Sequence, residues 1–278
     1  MNTLFEPIPE ETVQGVFGSP VQNARYLRVG DQLNALLGRN ALEGTDFAPH
    51  KPRRFIALLV LVTLFEYVEH LTDAQAAEAA GRRADWKYAL HLPLSYPGFD
   101  PVWLCLLRQH ALASAGGTAA IQVIAERLAP AGLFDTAPCA EEIVASICQR
   151  NRIDQLVRSL FLAVEALAAQ QLTWPNRTQL ASLYESYAGT LRDAREIRSP
   201  QAAVRLGQAV GADIESLLGA LQAVGRPELG ELSEVKVLKA IWEKQYERLE
   251  EGGSGSRSFA WRPVDCQSCS MGIGAVLS

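Results

Sequence analysis

Arg82, Arg83 and Lys87 fall within six residues of one another in a chain that is acidic as a whole. Lys51, Arg53 and Arg54 make a second basic group just ahead of an apolar run. Guanidinium and ammonium groups at this density suit phosphate oxygens, the guanidinium through its two-pronged fork. Cations before an apolar helix are equally a solvated helix start, and both readings stand. Residue types suited to covalent or metal chemistry are sparse. His50, His70, His91 and His110 are scattered and read as surface or capping residues. Cys266 and Cys269 form a single CxxC with neither a second pair nor nearby histidines, which falls short of a zinc site. The chain contains no Gly-x-x-x-x-Gly-Lys-Ser/Thr, no Gly-x-Ser-x-Gly and no His-Glu-x-x-His. No catalytic residue, metal ligand or cofactor is therefore assigned.

The elements that would position these cations run from Leu71 to Asp100. Thr72 with Gln75 three residues on spells a capping box. Alanines carry a short helix from Asp73 to Ala80, and Gly81 offers a left-handed end. Asp85 can cap a second short helix, Trp86 to Leu92, stopped by Pro93. A long apolar helix, Phe55 to Val68, precedes both. Helix, short helix, turn, short helix is the outline of a helix-turn-helix, with Arg82, Arg83 and Lys87 where such modules meet DNA. An Ala-rich hairpin in any small bundle has the same outline. Trp86, between two short helices, is expected to anchor the core rather than touch DNA.

The run "LTDAQAAEAAGRRADWKYALHLPL", followed by "YPGFD", resembles the N-terminal domain of bacterial insertion-sequence transposases of the DDE class, the group with an InsH-type N-terminal domain. Asp85-Trp86-Lys87-Tyr88 and Pro97-Gly98-Phe99-Asp100 are the most specific pieces. The opening Pro9-Glu10-Glu11-Thr12, Tyr26-Leu27-Arg28, and Ile241-Trp242-Glu243-Lys244-Gln245-Tyr246 extend the likeness from about residue 5 to residue 250. The resemblance implies recognition of element terminal repeats; the helix-turn-helix outline makes Arg82, Arg83 and Lys87 the expected contacts, and Arg53 and Arg54 add backbone contacts if the preceding helix crosses the duplex. The resemblance also implies an RNase H-like core whose three carboxylates gather two divalent metals for phosphoryl transfer. Aligned on Ala145-Ser146-Ile147 and Asn151-Arg152, the first carboxylate position falls on Cys139. A shifted alignment would use Asp135-Thr136. Glu141 and Glu142 read as acids of a helix's first turn, favoured by its dipole. The other two carboxylates would lie beyond residue 250, so a catalytically incomplete, transposase-derived DNA-binding protein is expected. The alternative is a helical interaction module that pairs with itself or with full-length transposase.

Composition is consistent with either. The chain has 278 residues, is 48% hydrophobic and 21% charged, and carries a formal charge of -5. That balance excludes a protein coating nucleic acid through a global cationic field. No secretory signal is legible in "MNTLFEPIPEE". Phe55 to Phe65 is too short to span a bilayer, and five scattered cysteines fit reduced thiols. A cytoplasmic protein without a membrane partner is expected.

The fold class predicted is all-α: a multi-helix bundle with a helix-turn-helix-like segment and a flexible C-terminal tail. Residues 1–135 form a DNA-binding-type helical domain, 136–250 a second helical domain and 251–278 the tail, a Gly-Ser stretch and beyond. Residues 1–20 read as irregular, and Tyr26 to Leu37 as a helix of about three turns. Asp100-Pro101 opens another, and Thr118 one that closes at Pro130 to Gly132. The longest stripe lies in 140–171. Further stripes are Leu180 to Leu191, one from Ser199-Pro200 that breaks near Gly211 and restarts at an Asp213 cap, and a last running from Val235 to Leu249.

Overall fold

Apolar residues recur at helical spacing along most of the chain, and the computed structural model is helical accordingly. It describes residues 3–18, 23–38, 42, 47–113, 118–170, 177–192, 200–249 and 258–262. The Cys266 and Cys269 pair and most of the 251–278 tail lie outside the described residues. The fold is all-α, as the periodicity predicts. Two compact units, Met1–Ile147 and Cys148–Ser278, divide inside one long helix.

In the first unit, α1 (Glu10–Phe17) follows Pro9 and carries Glu10 and Glu11 in its first turn. Sequence reading expects irregular chain here. Pro9 precedes the first turn and interrupts no hydrogen bond, so it starts this helix rather than breaking it. Helix α2 (Ala24–Leu36) buries Tyr26, Val29 and Leu33 and is capped by Asn23. Helix α3 (Arg53–Glu69) is apolar on all sides and buried from Ile56 to Glu66, so it is the unit's central rod. His70, at φ 56°, ends it in the left-handed conformation.

Helix α4 (Asp73–Arg82) opens on the predicted capping box, with Thr72 accepting from Gln75 N–H and the Gln75 side chain returning to the Thr72 N–H. It does not end at Gly81. That glycine is helical, and a Cβ there would stand 3.0 Å from the Pro97 carbonyl oxygen. Gly81 therefore serves a close approach by the Pro97-Gly98 backbone rather than a turn. Helix α5 (Ala84–Ala89) starts earlier and ends earlier than predicted, with Arg83 in extended conformation between it and α4. Asp85 is not its cap but lies inside its first turn. Helix α6 (Val102–Ala113) follows Asp100, whose Oδ1 accepts from the Val102 N–H at 2.9 Å. Helix α7 (Ala119–Leu128) runs into a 3-10 turn, Ala129–Ala131, closed by Gly132.

Helix α8 (Ala140–Ala168) is the predicted long stripe, with Glu141 and Glu142 in its first turn. In the second unit its residues Ile153 to Leu167 form a core with α9 (Arg177–Arg192), α10 (Pro200–Ala223) and α12 (Ser233–Gln245), α11 (Pro227–Gly230) being a single turn. Helix α10 runs unbroken through Gly211 and Asp213, against expectation. Asp213 accepts the Tyr187 hydroxyl at 2.5 Å instead of capping. A Cβ at Gly211 would lie 2.4 Å from the Tyr246 ring, so the bare backbone is where that ring packs. The last helix stops at Gln245, and Tyr246–Leu249 becomes a strand, β1. It pairs antiparallel with β2 (Ser258–Trp261), Tyr246 opposite Trp261. Sequence reading places helix in the first and tail in the second. The strands are four residues each, too short for alternation to register.

No single helix among the described residues is long and apolar enough to cross a membrane. Cys105 and Cys139 are free thiols, whereas Cys148 is disulfide-bonded, which departs from the expectation of reduced thiols throughout.

Candidate nucleic-acid interface

The five predicted phosphate contacts do not form one constellation. Arg83 turns inward. Its guanidinium meets Glu69 at 2.5 Å and both Asp85 oxygens at 2.7 and 3.0 Å, the bidentate geometry that suits Arg best. The same Glu69 accepts the Trp86 indole N–H at 3.3 Å. The ring of Trp86 is fully buried against Phe65 and Tyr26, with centroids 5.2 and 5.9 Å away. Trp86 is thus the core anchor its type and position predict. Burial works against the Glu69 charge, but bonds from Arg83 and the surrounding donors outweigh it and hold the carboxyl below the ordinary glutamate range. Burial, with that carboxylate nearby, pushes the Tyr26 hydroxyl far above the usual tyrosine range. Arg83 is consequently a structural cation and no longer a candidate for phosphate.

Lys87 is likewise withdrawn. It is 4% exposed, and its ammonium donates to the Leu94 carbonyl. Burial lowers its pKa from the ordinary lysine value, and the Glu11 carboxylate opposes the shift. The whole of α5 from Asp85 onward is buried. A recognition helix must present one face to a groove, and this one has none to present. That is the chief correction to the helix-turn-helix reading. Arg54 is divided, donating to the His91 carbonyl at 3.1 Å and pairing with Glu6 at 3.2 Å. Arg82 is outward, its side chain 79% exposed and, among the described residues, ion-paired only with exposed Glu78. Arg53 is exposed without an ion partner among the described residues.

His91 is buried rather than superficial: its ring nitrogens lie 2.6 Å from the Glu6 carbonyl oxygen and 2.8 Å from that of Gly30. His50 is exposed, and His70 caps α3 through its backbone conformation.

Two clusters escape sequence reading. Arg108, 1% exposed, pairs with Asp73 at 2.5 Å and with Glu66 at 3.6 Å. Burial opposes its charge, and the two carboxylates more than restore it. The available signal was Glu66 itself, since a carboxylate inside an apolar helix calls for a buried cation. The second is half-buried and aromatic. Phe55 meets Trp103 edge-on at 5.6 Å and Phe99 at 6.4 Å, with the Lys51 ammonium 4.6 Å from the Trp103 ring centre.

The acids considered for metal chemistry are dispersed. Asp135, Cys139, Glu141 and Glu142 are exposed, and Glu142 accepts from the Tyr67 hydroxyl at 2.9 Å. Among the described residues no group of three or more His, Cys, Asp or Glu could hold a metal ion, so they do not fit a two-metal centre. In the second unit a cleft of about 470 Å³ lies over Trp242, with Glu215, Arg226, Lys239 and Glu243 on its walls. The chain matches no protein-family model, no curated protein and no solved structure.

Proposed function

We propose that the chain is a transposase-type DNA-binding protein of the cytoplasm that engages duplex DNA at the ends of an insertion sequence. The observation that carries this reading is a division of labour among the cations of the first unit. Arg83 and Lys87 are consumed in holding the motif together, whereas Arg82 and Arg53 stand outside, and among the described residues their one ion pair is the exposed contact of Arg82 with Glu78. Exposed pairs are worth roughly 0–1 kcal/mol and yield easily to phosphate. Of the residues that carry the resemblance, Tyr26, Arg83, Asp85 and Trp86 gather around Glu69 at the end of α3, which supports reading that part of the motif as one folded element. In this reading the chain acts by binding and contributes no strand-cleavage chemistry of its own. Salt-dependent binding of terminal-repeat duplexes against unrelated duplexes tests it. Preference for the repeats supports it, and an absence of duplex binding at low salt refutes it.

A specific observation favours a second reading for the second unit. Tyr184, 46% exposed, stacks on Phe161 at 4.4 Å, and Leu162 beside it on α8 is 48% exposed. An open aromatic and a leucine suit a helical partner, either another copy or a full-length transposase. Sedimentation of wild type against Tyr184→Ala, with and without DNA, separates the two.

A further inference from the structure

Lys51, Phe55, Phe99 and Trp103 come from two separated stretches and meet at the start of α3 and of α6. All four are half-buried, and the neighbours Pro52, Arg53 and Pro97 are exposed. Core aromatics in this unit, such as Trp86, are fully enclosed. Phe55, Phe99 and Trp103 are instead only partly buried. The Lys51 ammonium lies over the Trp103 ring at 4.6 Å and within 5.9 Å of Phe55, a cation–π contact that an incoming base would replace while the ammonium turns to its phosphate. The only carboxylate in 51–55 and 96–103 is Asp100, and its Oδ1 is engaged on the Val102 amide. Partly exposed rings with Lys51 and Arg53 beside them, outnumbering the one carboxylate, match a strand whose bases are unpaired. Bases stack on the aromatic face while ammonium and guanidinium groups follow the phosphates.

The geometry points to a binding site for single-stranded DNA at this patch, with Trp103 and Phe55 as the stacking surface and Lys51 and Arg53 as the phosphate contacts. It rests on the DNA-binding reading above and extends it to melted or frayed ends. A duplex hides its base faces inside the stack, so the aromatic surface distinguishes paired from unpaired DNA where the cations alone cannot.

The test uses the full chain at low salt and two labelled probes, a 20-nucleotide oligothymidylate and a blunt duplex of about the same length, read by fluorescence anisotropy. Trp103→Leu keeps an apolar side chain for the fold and removes the stacking face. It should weaken oligothymidylate binding at least about fivefold while leaving duplex binding within twofold. Lys51→Glu, which removes the half-buried cation beside Trp103, should weaken it as well and lower the salt slope by about 0.7. Arg82→Ala should do the reverse, weakening the duplex alone. Single-strand binding without duplex binding would sustain this inference while removing the duplex reading. Unchanged oligothymidylate affinity in both Trp103→Leu and Lys51→Glu, or no affinity in wild type, would overturn it. So would a Trp103→Leu variant whose only change is loss of self-association, which would assign the patch to a second copy.

Discussion

Trp86 donates its indole N–H to Glu69 across 17 residues of sequence, and this bond ties the end of α3 to the middle of α5. It lets a tryptophan be buried completely without leaving its one polar atom unpaired. Replacing Trp86 by Ala removes the ring from Phe65 and Tyr26 and orphans part of the Glu69 acceptor set. The expected cost is about 3–5 kcal/mol, read as a fall in the urea midpoint of the first unit.

Arg82 and Arg83 are adjacent in sequence and should behave oppositely on mutation. Arg83→Ala leaves Asp85, 3% exposed, without its cation and should cost about 3 kcal/mol. Arg82→Ala breaks only an exposed pair with Glu78 and should change stability by less than about 0.5 kcal/mol. Thermal melts of the two single variants measure the difference. A double Arg→Ala variant cannot report DNA contacts, because one half of it loosens the fold.

Acid should weaken the same network. Glu69 has a carboxyl held below its ordinary value of 4.5, so the folded state binds fewer protons than the unfolded state on the acid side. Its contribution is present above that ordinary value and is lost as pH falls through the lowered one. Urea unfolding at pH 7 and at pH 3.5 should show a drop in wild type. In Glu69→Gln the drop should be smaller, from a lower starting stability.

Gly211→Ala sets two effects against each other. Alanine is favoured over glycine in a helix interior by about 1 kcal/mol. The added Cβ would stand 2.4 Å from the Tyr246 ring, which is stacked on Trp242 at 5.5 Å. Overpacking of this kind costs about 1–3 kcal/mol, so net destabilisation is expected. Gly219→Ala, in the same helix with nothing within 4 Å, should instead stabilise. Chemical denaturation of both variants gives the two signs.

These contrasts also mark what the sequence made legible. The capping box at Thr72 and Gln75, the buried rod of α3 and the long helix α8 follow from local rules that tertiary packing does not override. The glycines at 81 and 211 read as breaks because a sequence shows missing side chains but not what approaches the bare backbone. The cations failed for a related reason. Arg82, Arg83 and Lys87 look alike in a line of letters, and only the fold reveals that Glu69, Asp85 and the Leu94 carbonyl have claimed two of them. The platform at Trp103 was illegible because its halves, Lys51 to Phe55 and Phe99 to Trp103, are joined only in three dimensions.

The most direct measurement is the salt dependence of affinity for a duplex carrying the element's terminal sequence, in wild type and in an Arg53→Ala, Arg82→Ala double variant. Both side chains are outward, so the variant should melt as wild type does. If both hold phosphates, the plot of log affinity against log salt should flatten by roughly 1.8, about 0.9 for each contact. A double variant with wild-type affinity and slope would contradict the account.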